Sequence, residues 1–396
     1  MFLLRLIVPK FRDGFLKFLI LVLIFSCQII HAQEAALVQT KKGWGYFRSD
    51  SSWIIEPHFE DIELLTGSFE AVVPVTSLGY FSEGMVRYSD HGVWGFYNDK
   101  GSITIPATFS AANDFCDSLA AVKKSNRWGF INKKGEWIFQ PELTDAGDFH
   151  EGYAAVKSDK LWGFLDKRGM WVIEPKFQDA RRFQEGLAPV KLNGDWGYIN
   201  KRGEVVIQPS FTEAYAFKKG IARVVDGLKW GFIDTNGKFI AKTDYFSAEQ
   251  FSDGFARVRV RDVCVFINGK GEVVSKEGYE YAEGFSDDAA AVRPKNLWGY
   301  IDTAMVWLIK PAYGAAGDFV DGIARVRMKG DWFYIDKGGK QLFNGQAFEK
   351  ANDFYNGVAC VRINGKCGYL KKNGEWMFHP QFENCKEFRN IYDTLK

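Results

Sequence analysis

The chain has 396 residues, with 51 Lys and Arg against 49 Asp and Glu and a formal charge of +2. That balance argues against a protein built mainly to hold nucleic acid, and 46% apolar with 25% charged residues excludes a disordered chain. The outliers are 13 Trp, 16 Tyr, 35 Phe and 40 Gly beside only 5 His, a bias that points to a repeated structural unit.

Residues 1–32 have the form of a secretory signal peptide. Arg5, Lys10, Arg12 and Lys17 precede or flank the apolar run Phe18–Phe25, which extends at most to Ile30 and is too short to span a bilayer comfortably. Cleavage is expected after Ala32; the alternatives are lipidation at Cys27 or an uncleaved anchor. Removal takes four basic residues and one acidic residue, leaving 47 against 48. Export implies a periplasmic, secreted or cell-surface location. The five cysteines that remain, Cys116, Cys264, Cys360, Cys367 and Cys385, do not read as a disulfide framework or a metal motif.

From residue 33 to 396 the chain reads as one array. Trp-Gly occurs at Trp44, Trp94, Trp128, Trp162, Trp196, Trp230 and Trp298, and from Trp94 the spacing is 34. The same step lands on Cys264 and Trp332, and one residue beyond it on Cys367, giving ten units. An insertion between Trp44 and Trp94 falls within 65–80. Two residues after each Trp or Cys stands an aromatic: Tyr46, Phe96, Phe130, Phe164, Tyr198, Phe232, Phe266, Tyr300, Tyr334 and Tyr369. Thirteen before it stands Phe in the nine units that contain the position.

Each unit predicts short antiparallel strands. Leu187–Lys191 alternates, Asn193-Gly194 signals a hairpin, and Trp196–Ile199 follows as the second strand. Asn200…Gly203 supplies a turn before a third strand, which ends at Gln208-Pro209. No window keeps a helical period without meeting Gly or Pro. The fold class is all-β.

The core pattern of Trp-Gly, aromatic, Ile or Leu, Asp or Asn, with Ala-x-Val before it and Pro-x-Phe-x-x-Ala-x-x-Phe after it, resembles the WG (KWG) repeat family of bacterial proteins. The resemblance covers roughly 36–388, with departures at Cys264-Val265, Trp332-Phe333 and Cys367-Gly368. It implies exported or surface-associated β-repeat proteins used for binding or scaffolding, and no catalytic residues.

Three features are candidate sites. The repeat-core motif, Trp44, Trp94, Trp128, Trp162, Trp196, Trp230, Trp298 and Trp332, reads as inter-strand core, with the glycine beside every Trp but Trp332 admitting a neighbouring backbone or ring. A basic row stands five residues before the motif: Lys123, Lys157, Lys191, Arg259, Arg293, Arg327 and Arg362. Arg223, Arg257 and Arg325 join it two residues earlier, making a candidate binding track for an acidic partner. Its alternative is a solvated face paired with Glu83, Asp117, Glu151, Glu185, Asp253, Asp287 and Asp321. One carboxylate per unit, followed by Gly, suits a turn better than calcium. The third feature is a set of second aromatics, Trp53, Trp137, Trp171, Trp307 and Trp376.

A unit this small must stack on its neighbours to bury its strands. Propellers usually have about 4–8 blades of about 40–45 residues, so ten units of 34 favour an open superhelical array, with a closed propeller-like ring as the alternative. The expected function is an exported, non-enzymatic, monomeric scaffold for a protein or cell-envelope glycan partner, without cofactor, metal or nucleic acid. A carbohydrate-binding module with exposed aromatics is the alternative.

Overall fold

The computed structural model describes residues 34–62 and 76–390, so the expected leader 1–32 and Cys27 lie outside the described residues. The described chain is all-β apart from one 3-10 turn at Phe343–Gly345. It forms ten sheets, one for each Trp or Cys motif, which we number as blades one to ten.

Blade five shows the plan. Its strands are Asp179–Ala180, Leu187–Leu192, Asp195–Asn200 and Val205–Phe211, hydrogen-bonded in that order. Lys191 pairs with Trp196 across the central hairpin, as the alternation predicts. The short first strand comes from the Pro-x-Phe-x-x-Ala segment that follows the previous Trp motif. Each motif therefore ends inside its neighbour's sheet.

The glycine after the tryptophan is fixed by a backbone approach. Register shifts at Gly197, and a Cβ there would stand 2.5 Å from the Ile207 carbonyl oxygen on the fourth strand. The equivalent Cβ distances at Gly45, Gly95, Gly129, Gly163, Gly299 and Gly368 are 2.5–2.7 Å. Blades seven and nine carry Val265 and Phe333 at this position, and they are the two that lack a regular fourth strand. There the following segment meets the third strand through isolated bridges, Cys264 with Tyr279 and Ile267 with Val273, and Trp332 with Phe348 and Ile335 with Gln341, and through single hydrogen bonds from the Val274 and Leu342 N–H groups to the Phe266 and Tyr334 carbonyls. A side chain at that position pushes the neighbouring backbone away.

The insertion expected within 65–80 falls mostly on 63–75, outside the described residues. Its end is ordered: Thr76–Ser82 pairs with Met85–Asp90 and takes the first-strand place of blade two. Asp61–Ile62, which the repeat would put there, pairs in parallel on the outside of it.

The open array expected from unit number and length is overturned. Asn384–Asn390 pairs antiparallel with Glu34–Thr40, matching Phe388 to Ala36, Cys385 to Val38 and Asn384 to Gln39. Blade one is thus completed by the last segment of the chain, and the ten blades close into a propeller ring. The reason is the offset between motif and sheet. The tenth copy of the linking segment, Pro380-x-Phe382-x-x-Cys385-x-x-Phe388, enters the first blade as every other copy enters the blade after its own.

The core follows the same cycle. Ten apolar clusters each draw on two adjacent blades, and the one at the seam joins Ala36, Val38 and Phe388 to Tyr369 and Phe378. In every one, the aromatic two after the motif meets the next blade's Phe. The ten pairs, from Tyr46–Phe81 and Phe96–Phe115 to Tyr334–Phe354 and Tyr369–Phe388, have centroids 4.6–5.0 Å apart. Edge-on and tilted contacts at this distance suit the ring quadrupoles. Where the residue is Tyr, its hydroxyl donates to the carbonyl two before that Phe: Gly79, Tyr215, Gly317, Asn352 or Lys386, at 2.6–2.9 Å.

Replacing Gly197 by Val is expected to expel Val205–Phe211 from blade five, as Val265 does in blade seven. The expected loss is about 1–3 kcal/mol, the usual cost of overpacking. Denaturant unfolding with hydrogen exchange on Val205–Phe211 measures it; unchanged stability and protection would remove the steric account of the glycine.

Candidate functional site

The motif tryptophans occupy the blade interfaces but differ in depth. Trp44 and Trp196 are buried, whereas Trp94, Trp128, Trp162, Trp230, Trp298 and Trp332 are half-buried. A cation covers most of them. Lys123 and Lys157, paired cross-strand with Trp128 and Trp162, place Nζ 5.9 Å from the ring centroids. Arg293 lies 5.7 Å from Trp298, Arg87 5.5 Å from Trp94, Arg223 5.6 Å from Trp230, Arg325 5.0 Å from Trp332 and Arg181 4.4 Å from Trp196. Such contacts are worth about 0.5–1 kcal/mol when exposed and more when desolvated.

The ten track residues divide into two groups. Arg223, Arg257 and Arg325 are half-buried and reach the next blade, donating from Nη1 to the carbonyls of Ala248, Ala282 and Ala351. Arg325 also meets the Asp353 carboxylate at 2.7 Å, and Arg257 pairs with Glu249. Two arginines absent from the sequence-derived track make the same tie. Arg87 donates to the Ala112 carbonyl at 2.6 Å and pairs with Asp114 at 3.0 Å; Arg181 donates to the Ala214 carbonyl at 2.5 Å. Arg87 stands seven before Trp94, just as Arg223 stands seven before Trp230, so its role was readable from position. Arg181 was not, because it reaches the same place from the strand opposite Pro189.

The second group faces the hairpin ends. Lys123, Lys157, Lys191, Arg259 and Arg293 are half-buried and Arg327 is exposed. Arg327 and Arg259 donate to carbonyls of their own turns, Gly330 and Asp262. Arg362 bonds the Gly365 carbonyl of its own turn at 3.1 Å and also holds the seam, donating to the Glu383 carbonyl at 2.6 Å and to Asn384 Oδ1 at 2.7 Å.

The acidic row has other partners than the basic row. Each residue sits at a left-handed hairpin turn, such as Glu151 with φ 53° and Glu185 with φ 54°. In all but Asp321, which pairs with Lys372, the carboxylate accepts from a backbone N–H of the equivalent turn in the next blade. Asp117 accepts from Gly152 at 2.7 Å, Glu151 from Glu185 at 2.6 Å and Gly186 at 3.1 Å, Glu185 from Gly220 at 2.8 Å, and Asp287 from Gly322 at 2.5 Å. Lys133, Lys201 and Lys337 supply cations to Glu83, Glu151 and Asp287 at 3.0–3.4 Å. These oxygens tie blade to blade.

The second aromatics Trp53, Trp137, Trp171, Trp307 and Trp376 are all half-buried, each packed on the cluster its blade shares with the preceding one. The cysteine reading needs correction: Cys360 and Cys385 form a disulfide, and Cys116, Cys264 and Cys367 are free and buried. Burial pushes the Cys116 thiol up to about 12, which leaves it an inert core residue.

Between blades eight and ten, Asp318, Asp353 and Glu283 lie near Arg325 and Arg257. Burial, followed by repulsion from Asp353 and Glu283, raises Asp318 to about 6 against the two arginines. A carboxyl whose folded pKa lies above its unfolded value stabilises most below about pH 4 and loses that contribution as pH rises through about 6. Asp318→Asn should therefore be more stable than the parent at pH 7.5 and lose this advantage at pH 4. Urea midpoints at the two pH values give the comparison; equal midpoints at pH 7.5 would rule out the buried-acid assignment.

The model of the WG-containing repeat matches nine tandem stretches, 94–128, 128–162, 162–194, 196–227, 230–264, 266–297, 298–332, 332–367 and 368–390. No curated protein matches the chain by sequence. Among solved structures, a eukaryotic initiation factor is similar with a TM-score of 0.52 and 10% identity, over 92% of this chain and 99% of that one. The dihydro-heme d1 dehydrogenase NirN is similar with a TM-score of 0.40 and 11% identity, over 91% of this chain and 75% of that one. PorZ, a surface component of the type-IX secretion system of Porphyromonas gingivalis, has a TM-score of 0.29 and 10% identity, over 76% and 51%. At such identities the first likeness bears on the fold alone and the other two carry no argument. With nine of its ten units matched in register, the chain belongs to the family of WG-containing repeat proteins.

Proposed function

We propose that this ring is an exported, non-enzymatic scaffold that docks a protein of the cell envelope on the hairpin ends of blades six to eight. The observation that carries the reading is a run of exposed apolar side chains set among cations. Leu228 is 89% exposed at the hairpin turn of blade six, and Phe246, in the connector to blade seven, is 54% exposed. Lys229 of blade six lies 3.0 Å above the Phe246 ring. Val260 and Val263 flank the next hairpin, and Tyr281 and Leu297 of blade eight are 50% and 44% exposed, with Arg293 4.1 Å from the Tyr281 ring. Leu297 also borders an open depression with Pro294, Lys295, Asn296 and Pro311.

Aromatic and aliphatic groups fringed by arginine and lysine are the composition of a protein-docking surface with a preference for acidic surroundings. Track residues Arg259 and Arg293 fall within this region. The leader-like 1–32 and the Cys360–Cys385 bridge support an oxidising compartment outside the cytoplasm. The glycan alternative has less support, because the second tryptophans it needs are committed to blade packing.

Envelope proteins and peptidoglycan are to be captured with residues 33–396 and with a Leu228→Ser, Phe246→Ser, Leu297→Ser variant, at low and high salt. The reading expects capture of a protein by the parent, weakened by salt and lost in the variant. Equal capture by both would end it, and retention of peptidoglycan by both would favour the glycan reading.

A further inference from the structure

The ring has one place where a blade is completed without chain continuity. In blades three to ten the short first strand runs on into the hairpin it pairs with; in blade one, Asn384–Asn390 is joined to Glu34–Thr40 only by pairing. The interface there is also chemically different. Four of the inter-blade ties use an arginine on the second strand and the carbonyl of the alanine in the next blade's first strand. Arg87 to Ala112, Arg223 to Ala248 and Arg257 to Ala282 are each separated by 25 residues, and Arg325 to Ala351 by 26.

At the seam the two positions are both cysteine. Cys360 pairs with Tyr369 on the third strand as Arg223 pairs with Phe232, and Cys385 pairs with Val38 as Ala248 pairs with Val258. Their separation is again 25, and they are bonded to one another. The disulfide stands where blades two, six, seven and nine place a guanidinium and the carbonyl it reaches.

We propose that Cys360–Cys385 is the redox-dependent latch of the ring, a covalent tie that secures blade ten to the closing strand and is released when the bond is reduced. A dithiol reductant supplies two electrons and two protons, breaks this one S–S bond, leaves two thiols and becomes a disulfide itself. The latch region then retains the strand pairing, the Tyr369–Phe388 contact and the Arg362 bonds, but lacks the tie that blades two, six, seven and nine make with arginine. The third sulfur nearby, Cys367, lies within 4.8 Å of the bridged pair. Burial raises the pKa of its thiol against the opposing influence of Arg362, which disfavours the thiolate that exchange with the bridge requires.

The substitution that tests this equivalence is Cys360→Arg with Cys385→Ala, which restores the tie of the other blades. Arg325 meets Asp353 two residues beyond Ala351, and the equivalent position two beyond Cys385 is Glu387, which pairs with Arg389. Hydrogen exchange is followed by mass spectrometry on the full chain, with and without dithiothreitol, in Glu34–Thr40, Asn384–Asn390 and, as a control, Leu187–Leu192. Reduction of the parent should accelerate exchange in both seam strands by about 10-fold or more while the control strand is unchanged. Cys367→Ser should behave as the parent, and the Cys360→Arg, Cys385→Ala protein should stay protected under both conditions. Absence of the 360–385 cross-link in non-reduced peptides, or parent seam strands indifferent to verified reduction, would overturn the latch. Fast exchange in the arginine variant under both conditions would overturn its equivalence to the other ties.

Discussion

The structure depends on one contact made ten times: the aromatic two residues after the motif against the phenylalanine of the next blade. A hairpin with a single face of Ala, Val and one ring cannot bury that ring by itself, since a small β unit lacks the volume. The phenylalanine that covers it arrives on the linking segment, which belongs to the neighbour's sheet. Burial of one unit is therefore obligatorily the business of two. The last unit's ring, Tyr369, needs a cover as much as the first, and Phe388 supplies it from the strand that fills the open edge of blade one. Closure follows from the demand for ten covers.

Beside these apolar contacts lie two sets of polar ties, the arginine set at five of the ten interfaces. Carboxylates at the hairpin turns cap backbone N–H groups one blade on, and guanidinium groups reach the alanine carbonyls one blade on. Both satisfy donors and acceptors that the packed interfaces would otherwise orphan. They also account for much of the charge that the sequence presents as a track or as a solvated face. The hairpin ends of blades six to eight differ: there Arg259 and Arg293 stand among the exposed Leu228, Phe246 and Leu297.

The strand plan, the ten units and the part played by the Trp-neighbouring glycine were legible in the sequence, because each rests on local spacing and backbone sterics. Ring closure was less so. The count and length of the units argued for an open array, yet the sequence held a contrary sign. Phe388 stands 34 residues after Phe354 as a tenth copy of the linking phenylalanine, while thirteen residues before Trp44 stands His31 in place of Phe. The linker of the last unit thus matches the position that the first unit lacks. The arginine ties were invisible for another reason: alternation tells which face of a strand a residue occupies, and both the solvated edge and the neighbouring blade lie on that face. The disulfide was hidden because Cys360 and Cys385 match each other only when each is compared with its counterparts in other units, Arg and Ala.

Closure itself is open to direct measurement. Gln39 and Asn384 are register partners in blade one, with Cα atoms about 5 Å apart across an antiparallel pair. Spin labels placed at these two positions should show strong dipolar broadening in frozen solution at any protein concentration, because the ends of a closed ten-blade ring adjoin within one chain. Spectra without broadening, identical to the sum of the two singly labelled proteins, would mean that the array is open and would contradict the account at its base.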